Sequence, residues 1–189
     1  MSRERIALRR VALVGLMGSG KSRVGERLAR ALDWPFHDLD RRVAEEAGRS
    51  IPEIFRTEGE AGFRRREAGA LAAVAALDPP LIAATGGGVV LAAENRSLLA
   101  SAFTVVWLRV DPAEAARRVG GDPDRPLLGP GSPVERLREL ARVRDPLYAA
   151  IAHLAVPTGA GTTPESRRDA VLAWLREGQA VDPTPFPEA

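Results

Sequence analysis

The sequence predicts a three-layer α/β fold, in which a five-stranded parallel sheet carries helices on both faces. Short β-rich apolar runs alternate with segments of helical periodicity along the chain, the pattern of parallel strands joined by crossover helices. A glycine-rich loop follows the first apolar run and precedes an amphipathic segment. A length of 189 residues with 45% hydrophobic residues suits one domain with a substantial core.

Apolar runs bounded by turn residues are predicted as strands, and the periodic segments between them as helices. The predicted strands are Arg10 to Val14, Pro35 to Asp38, Leu81 to Thr85, Thr104 to Arg109 and His153 to Val156. The predicted helices are Ser22 to Leu32, Asp40 to Ala47, Ile51 to Arg56, Gly59 to Ala76, Glu94 to Ser101, Pro112 to Val119, Pro133 to Arg144 and Pro164 to Glu177. We therefore expect one domain over residues 1–177. Residues 178–189 carry three prolines and no periodicity, so we expect a disordered tail.

The composition argues against several classes of protein. The pI is near 9.8 but the formal net charge is only +2, and no stripe of interleaved aromatic and basic residues is present, so no nucleic-acid partner is expected. The lack of cysteine excludes disulfides and thiolate metal sites. No apolar run is long enough to span a membrane, and the sequence starts without a signal-peptide core. The expectation is a cytoplasmic protein without a membrane partner.

A phosphate-loop pattern lies between the first predicted strand and helix, in the segment Gly15-Leu16-Met17-Gly18-Ser19-Gly20-Lys21-Ser22. Glycines let the backbone amides of such a loop point into one concavity, and the positive end of the following helix adds to the attraction for phosphate. Lys21 is predicted to reach the β- and γ-phosphates of a nucleotide, and the Ser22 hydroxyl to bind Mg²⁺. Lys21 is also the only lysine in the chain, and a compact ammonium suits a narrow loop better than a guanidinium does. The alternative is a glycine-rich turn without a ligand.

Further candidate residues follow the other predicted strands, where ligands gather in parallel sheets. Asp38 and Asp40 follow the second strand, and one carboxylate there could hold Mg²⁺ while the other faces a second substrate. The alternative is that either aspartate caps the next helix. Gly86, Gly87 and Gly88 follow the third strand and would leave backbone amides open to a ligand oxygen, although a plain turn is the alternative.

Arginines supply the remaining candidates. Arg64, Arg65 and Arg66 are consecutive and point about 100° apart on a helix, so at most two can face a cleft; taken alone, the run favours a solvated surface. Residues 120–132 are rich in Gly and Pro around Arg125, which predicts a mobile lid that brings a cation to a transferring phosphate; a passive loop is the alternative. Arg144 offers another cation, at a predicted helix interruption before Pro146.

In combination, these stretches resemble the shikimate kinase family, part of the nucleoside-monophosphate-kinase-like group of P-loop enzymes, over roughly residues 10–175. The segments that carry the resemblance are the phosphate loop, Asp38-Leu39-Asp40, Ser50 to Phe55 leading to Gly59 to Arg64, the triple glycine, Arg125 to Leu128, and Arg144 to Tyr148. The resemblance implies a P-loop kinase fold with strand order 2-3-1-4-5 and a mobile lid. It also implies a monomer that transfers the γ-phosphate of ATP to the 3-hydroxyl of shikimate with Mg²⁺.

The resemblance also assigns roles to individual residues. The implied catalytic residues are Lys21, Asp40 and Arg125. The implied ATP-binding residues are Gly18, Ser19, Gly20, Lys21, Ser22, Arg23, Arg118, Arg125 and Pro164, and the implied Mg²⁺ ligands are Ser22 and Asp38. The implied shikimate-binding residues, centred on a region from about 38 to 67, are Asp40, Phe63, Arg64, Glu67 in support of Arg64, Gly86, Gly87, Gly88 and Arg144.

The sequence departs from the family pattern at two places. Arg23 stands where the family usually has Thr, outside the Mg²⁺-ligand position. The loop from Thr158 to Pro164 lacks an arginine that some relatives have near the adenine. Arg118 and Pro164 remain candidates to sandwich the adenine ring.

Three other classes share the phosphate loop. A kinase for gluconate or a nucleoside monophosphate would need different cleft residues. A GTPase switch protein would need an Asn-Lys-x-Asp motif, for which the chain has no second lysine. A nucleic-acid-dependent ATPase is disfavoured by the lack of a basic and aromatic surface.

Overall fold

A computed structural model of the chain describes residues 9–119, 132–159 and 161–177. The strands are β1 Arg10–Val14, β2 Phe36–Asp38, β3 Leu81–Ala84, β4 Thr104–Arg109 and β5 Leu154–Pro157. The helices are α1 Lys21–Leu32, α2 Leu39–Ala47, α3 Ile51–Ala75, α4 Ala93–Ala102, α5 Pro112–Val119, α6 Pro133–Ala149 and α7 Pro164–Arg176, with a 3₁₀ turn at Val89–Leu91.

The five strands form one sheet in the order β2-β3-β1-β4-β5, and every neighbouring pair is parallel. This confirms the predicted fold class and strand order. Because all strands run the same way, their carboxyl ends lie along one edge of the sheet. The phosphate loop follows β1, Asp38 ends β2 and the triple glycine comes shortly after β3, so this edge collects the candidate residues.

Hydrophobic side chains alternate between the two faces of the sheet. Val11 and Leu13 of β1 pack with residues of α1 and α7 on one face. Ala12 and Val14 pack on the other face with a larger cluster drawn from α2 to α6. Both faces are therefore covered by helices, which is why the strands are apolar on both sides. The result is the predicted three-layer arrangement.

Most helices agree with the predicted boundaries to within one residue, and α3 and α6 are the exceptions among the described residues. The predicted helices Ile51 to Arg56 and Gly59 to Ala76 follow each other directly within α3, and they are separated only by a kink at Gly59, where φ is 68° and ψ is 179°. The predicted end of a helix at Arg144 is wrong, because α6 continues through Pro146 to Ala149. Proline removes one N–H from the helix, but the final turn of α6 is held in the core by Tyr148, which is fully buried.

Some predicted features lie outside the described residues. These are Arg125, the greater part of the expected lid and the expected tail at 178–189. In the part of the chain that the structure describes, no helix combines the length and the apolar character needed to cross a bilayer.

Candidate active site

The phosphate loop forms one wall of a cavity of about 420 Å³. Gly20 precedes α1 with φ 90°, a left-handed conformation that favours glycine. No side chain of the described residues caps α1 at this position. The first amides of an α-helix have no carbonyl partner within the helix, so the start of α1 presents donors and a partial positive charge to the cavity.

Lys21 lies at the start of α1 and lines the same cavity. Its Nζ donates to the carbonyl oxygens of Gly15 and Leu16, both at 2.9 Å. These bonds fold the side chain back over the loop, which places the ammonium beside the concavity predicted to hold phosphate.

Asp38 joins the phosphate loop to the second strand. Its Oδ2 accepts a hydrogen bond from Ser22 Oγ at 2.5 Å, while its Oδ1 accepts from the backbone N–H groups of Asp40 and Arg41 at 3.1 and 3.2 Å. Asp38 therefore caps α2, as the alternative interpretation predicted, and it contacts Ser22 with its other oxygen. A hydroxyl and a carboxylate side by side in this cavity are hard oxygen donors of the kind that Mg²⁺ prefers.

The far wall of the cavity comes from α5 and the start of α7. Arg118 donates to the carbonyl oxygens of Gly18 at 3.1 Å and Thr158 at 2.7 Å, so it bridges the phosphate loop and the loop after β5. Pro164 and Arg23 also line the cavity. Ser19 does not line it: its side chain is fully buried, and its N–H donates to the Leu16 carbonyl at 3.2 Å.

A second cluster of charged residues surrounds the triple glycine. A Cβ at Gly86 would clash with Glu67 Oε1 and lie 2.9 Å from Asp40 Oδ1, and a Cβ at Gly88 would overlap the Arg64 guanidinium. Only a residue without a side chain leaves room for these three charged groups. The cluster borders the cavity through Asp40, which lines it.

Arg64 and Glu67 form an ion pair within this cluster. Arg64 Nη1 donates to Glu67 Oε2 at 2.7 Å, and Nη2 donates to Glu60 Oε1 at 3.1 Å. Burial opposes the charge on Arg64, but the adjacent Glu67 and Glu60 outweigh it and raise its pKa. Burial raises the pKa of Glu67, and the positive charge of Arg64 works against that rise.

Arg144 approaches the triple glycine from α6. Its side chain is 3% exposed, and a Cβ at Gly87 would lie 3.6 Å from its Nη1 and 3.3 Å from the backbone N of Met17. Gly87 is therefore the point where the phosphate loop and Arg144 meet. The Tyr148 hydroxyl, one turn further along α6, donates to the Gly87 carbonyl, which fixes the glycine segment against the helix.

Several buried polar atoms in this cluster have no hydrogen-bond partner among the described residues. They are Arg64 Nε, Glu67 Oε1, and Nε and Nη1 of Arg144. Leaving such groups unsatisfied costs free energy, more for charged groups. Burial lowers the pKa of Arg144, and the positive charge of Arg64 adds to that effect. An anionic ligand with further polar groups would satisfy this set, and two guanidinium groups suit a carboxylate.

The structure thus separates the predicted residues into two adjoining groups. The members of the cavity wall are Gly18, Gly20, Lys21, Ser22, Arg23, Asp38, Asp40, Arg118 and Pro164. The members of the charged cluster are Asp40, Arg64, Glu67, Gly86, Gly87, Gly88 and Arg144. Phe63 lies mainly in the core, 5% exposed, and its ring centroid is 5.2 Å from Arg64 Cζ, so it supports Arg64 from behind.

Of the arginine run, only Arg64 enters the cluster. Arg65 is exposed, and Arg66 pairs with Glu58 at 2.8 Å on a different side. Among the residues that were not predicted as site residues are Arg167 in the cavity wall and Tyr148 behind the glycine segment, although Tyr148 lies in a segment that carried the family resemblance. The only local signal was the position of Tyr148 four residues after Arg144, which puts both on one face of a helix.

The chain matches known proteins over most of its length. A family model described as Shikimate kinase matches residues 17–175. A shikimate kinase of Methylococcus capsulatus is 42% identical over 90% of this chain and 94% of the relative. One of Symbiobacterium thermophilum is 49% identical over 78% of this chain and 86% of the relative.

Solved structures agree with these matches. The shikimate kinase from Acinetobacter baumannii in complex with shikimate superposes with a TM-score of 0.83 and 35% identity, covering 96% of this chain and all of that one. A gluconokinase from Sinorhizobium meliloti superposes with a TM-score of 0.58 at 19% identity, covering 90% of this chain and 93% of that one, a likeness of fold alone.

Proposed function

The chain belongs to the shikimate kinase family, and from this premise we propose which of its residues carry out the transfer of the ATP γ-phosphate to the 3-hydroxyl of shikimate. ATP occupies the cavity lined by the phosphate loop, and shikimate occupies the charged cluster around the triple glycine. The observation that carries the proposal is Asp40, which lines the cavity and also lies against Gly86 in the cluster. A hydroxyl bound there sits between the two substrates.

Charge recognition supports the shikimate assignment. Shikimate presents one carboxylate and a ring of hydroxyls. Arg64 and Arg144 converge on the triple glycine from opposite helices, and both have a buried nitrogen without a partner among the described residues. Two guanidinium groups can hold a carboxylate through paired hydrogen bonds, while Glu67 keeps Arg64 in place at 2.7 Å.

Phosphoryl transfer depends mainly on positioning and on neutralising charge. Lys21 binds the β- and γ-phosphates and follows the transferring group. Asp40 accepts a hydrogen bond from the attacking 3-hydroxyl, orients it in line with the γ-phosphate and takes its proton. Arg125, which lies outside the described residues, stays a sequence-based candidate for the cation that approaches from the lid.

Mg²⁺ is the proposed cofactor. Ser22 Oγ and Asp38 Oδ2 would hold it, directly or through water, because they lie 2.5 Å apart at the start of α1. When bound, the ion neutralises part of the phosphate charge.

We also propose a cytoplasmic monomer that uses neither nucleic acid nor a membrane. Support comes from the two residue groups, which a single chain supplies. Gel filtration coupled to light scattering at working enzyme concentration tests the monomer.

Turnover of ATP to ADP, measured with and without shikimate, tests the function. We expect shikimate to accelerate turnover strongly, whereas gluconate and nucleoside monophosphates leave it near the background rate. Turnover that responds to gluconate or to a nucleoside monophosphate but not to shikimate would contradict the proposal.

Two neighbouring arginines of α3 test the substrate site. Arg64→Ala should raise the KM for shikimate about tenfold or more, because a hydrogen-bonded charge on the substrate is lost, while the KM for ATP stays near wild type. Arg65→Ala is the matched control, since Arg65 is exposed on the same helix, and should leave both values near wild type. The assignment fails if Arg64→Ala changes neither kcat nor the KM for shikimate.

A further inference from the structure

Arg167 is a buried cation in the wall of the proposed nucleotide cavity. It lies one turn into α7, its side chain is 5% exposed, and it lines the cavity together with Gly20 and Lys21. Arginine is seldom buried to this degree unless it is paired. A hydrogen-bonding or anionic partner is therefore expected for the Arg167 guanidinium.

The partners that the structure provides leave one nitrogen of Arg167 unused. Nε and Nη2 donate to Thr162 Oγ1 at 3.0 and 2.8 Å, and Nη2 also donates to the Thr162 carbonyl at 2.9 Å. A Cβ at Gly20 would lie 3.4 Å from Nη1, so this nitrogen faces the phosphate loop. Within the described residues, Nη1 makes no hydrogen bond, and no carboxylate forms an ion pair with Arg167.

The surroundings of Arg167 disfavour a positive charge. Burial lowers its pKa, and the positive charge of Arg118 adds to that effect. Arg167 also lies near the start of α7, which begins at Pro164, and the positive end of a helix repels cations. Arginine nevertheless stays charged at neutral pH. An anion bound beside the Arg167 guanidinium would therefore stabilise its positive charge.

We propose that Arg167 is a nucleotide-binding residue that places Nη1 against the phosphate chain of ATP or ADP, opposite the amides at the start of α1. The inference rests on the proposed function, because it assumes that the cavity holds a nucleotide. The position of Nη1 next to Gly20 favours the phosphates over the base, since Gly20 belongs to the phosphate loop. Arg167 would thus supply a cation to the phosphate chain from the first turn of α7.

Binding of ADP and of adenosine to three proteins, measured by calorimetry, tests this inference. Arg167→Met should weaken ADP binding by about tenfold to a hundredfold, the range for a lost hydrogen bond to a charged group, and should change adenosine binding by about twofold at most. Arg168→Met is the matched control, because Arg168 is the next residue of α7 and pairs with Asp169 at 2.6 Å. It should bind ADP like wild type.

Thermal unfolding without nucleotide separates this role from a structural one. Removing a desolvated charge should leave the Tm of Arg167→Met equal to wild type or higher. Arg167→Lys, which keeps the charge but loses the fork to Thr162, should retain most of the ADP affinity. A lower Tm in both variants with equal losses of ADP affinity would make Arg167 a structural residue and overturn the inference.

The remaining outcomes are also decisive. ADP affinity of Arg167→Met within about twofold of wild type overturns the inference, and equal losses for ADP and adenosine overturn the assignment to phosphate. Lys21→Ala separates the inference from the proposed function. If wild type and Lys21→Ala bind ADP equally, the cavity is not the nucleotide site, and the proposed function fails with it.

Discussion

Asp145 carries a carboxyl group whose negative charge is disfavoured by burial. It follows Arg144 on α6 and is half-buried. Burial raises the pKa of its carboxyl from 3.8 to about 6, and Arg109 opposes part of that rise. The folded protein thus holds this proton more tightly than the unfolded chain does.

The pKa of Asp145 predicts how one substitution depends on pH. Because the folded pKa is the higher one, its contribution to stability is fully present below about pH 4 and is lost as the pH rises through about 6. Asp145→Asn, which carries no charge, should therefore be more stable than wild type at pH 8, by about 1 kcal/mol once partial exposure is allowed for. At pH 4.5 the difference should be much smaller. Urea unfolding at both pH values measures it.

Asp169→Asn is the control for the Asp145 experiment. Asp169 is an exposed aspartate of α7 paired with Arg168, and its substitution should change the unfolding free energy by less than about 0.5 kcal/mol at either pH. An Asp145→Asn variant with the same difference from wild type at pH 8 and pH 4.5 would refute the link to titration.

Single residues differ in how far the sequence could predict them. Lys21 and Ser22 could be predicted because they belong to a short motif whose residue spacing is required for binding phosphate. Asp38 could be predicted because it lies at the end of a recognisable strand. The position of Arg64 came from the family resemblance, since a run of three arginines by itself favours solvent. Arg167 carries no local signal, because its burial arises only when α7 packs beside the phosphate loop.

Helix α3 contains three glycines, and two of them, Gly59 and Gly69, differ in backbone conformation. Gly59 has φ 68° and ψ 179°, whereas Gly69 lies in the regular part of the helix. A Cβ would meet nothing within 4 Å at either position. The two sites thus differ in backbone conformation rather than in space for a side chain.

This pair predicts opposite effects of the same substitution. Gly59→Ala should destabilise the protein by about 1–3 kcal/mol, because alanine is strained in that conformation. Gly69→Ala should stabilise it by about 0.5–1 kcal/mol, because alanine is the better helix residue. Denaturant unfolding of both variants measures the effects, and equal signs would contradict the assignment of a break at Gly59.

Element boundaries show why local rules predict only part of a helix. The rule that a helix ends before proline gave the wrong end for α6, because the buried ring of Tyr148 holds the last turn in the core. That stabilisation comes from distant parts of the chain. The two predicted helices, Ile51 to Arg56 and Gly59 to Ala76, correspond to the two helical stretches of α3 that meet at the non-helical Gly59.

At the scale of the molecule, the proposed site draws on most elements at the carboxyl edge of the sheet. The cavity wall takes residues from the loop after β1, from α1, α2 and α5, and from the start of α7, while the cluster adds α3 and α6. Ligands bound there contact elements that pack on both faces of the sheet. Ligand binding should therefore stabilise the fold as a whole.

ADP provides the measurement at this scale. At 100 times its Kd, ADP should raise the free energy of unfolding by about 2.7 kcal/mol, as expected for a ligand that binds only the folded state. The same ADP concentration should stabilise Lys21→Ala much less, because its affinity is lower. Urea titrations with and without ADP measure both values, and equal stabilisation of the two proteins would argue against the phosphate-loop site.

The two carboxyl oxygens of Asp38 accept hydrogen bonds from two different parts of the proposed site. One oxygen accepts from Ser22 at the proposed cation site, and the other accepts from the backbone N–H of Asp40, the proposed base, in the first turn of α2. In the proposed site, one carboxyl group therefore connects the donor end with the acceptor end. If a cation binds at this oxygen, as proposed, we expect its binding to shift the turn that carries Asp40, because both depend on the same carboxyl group.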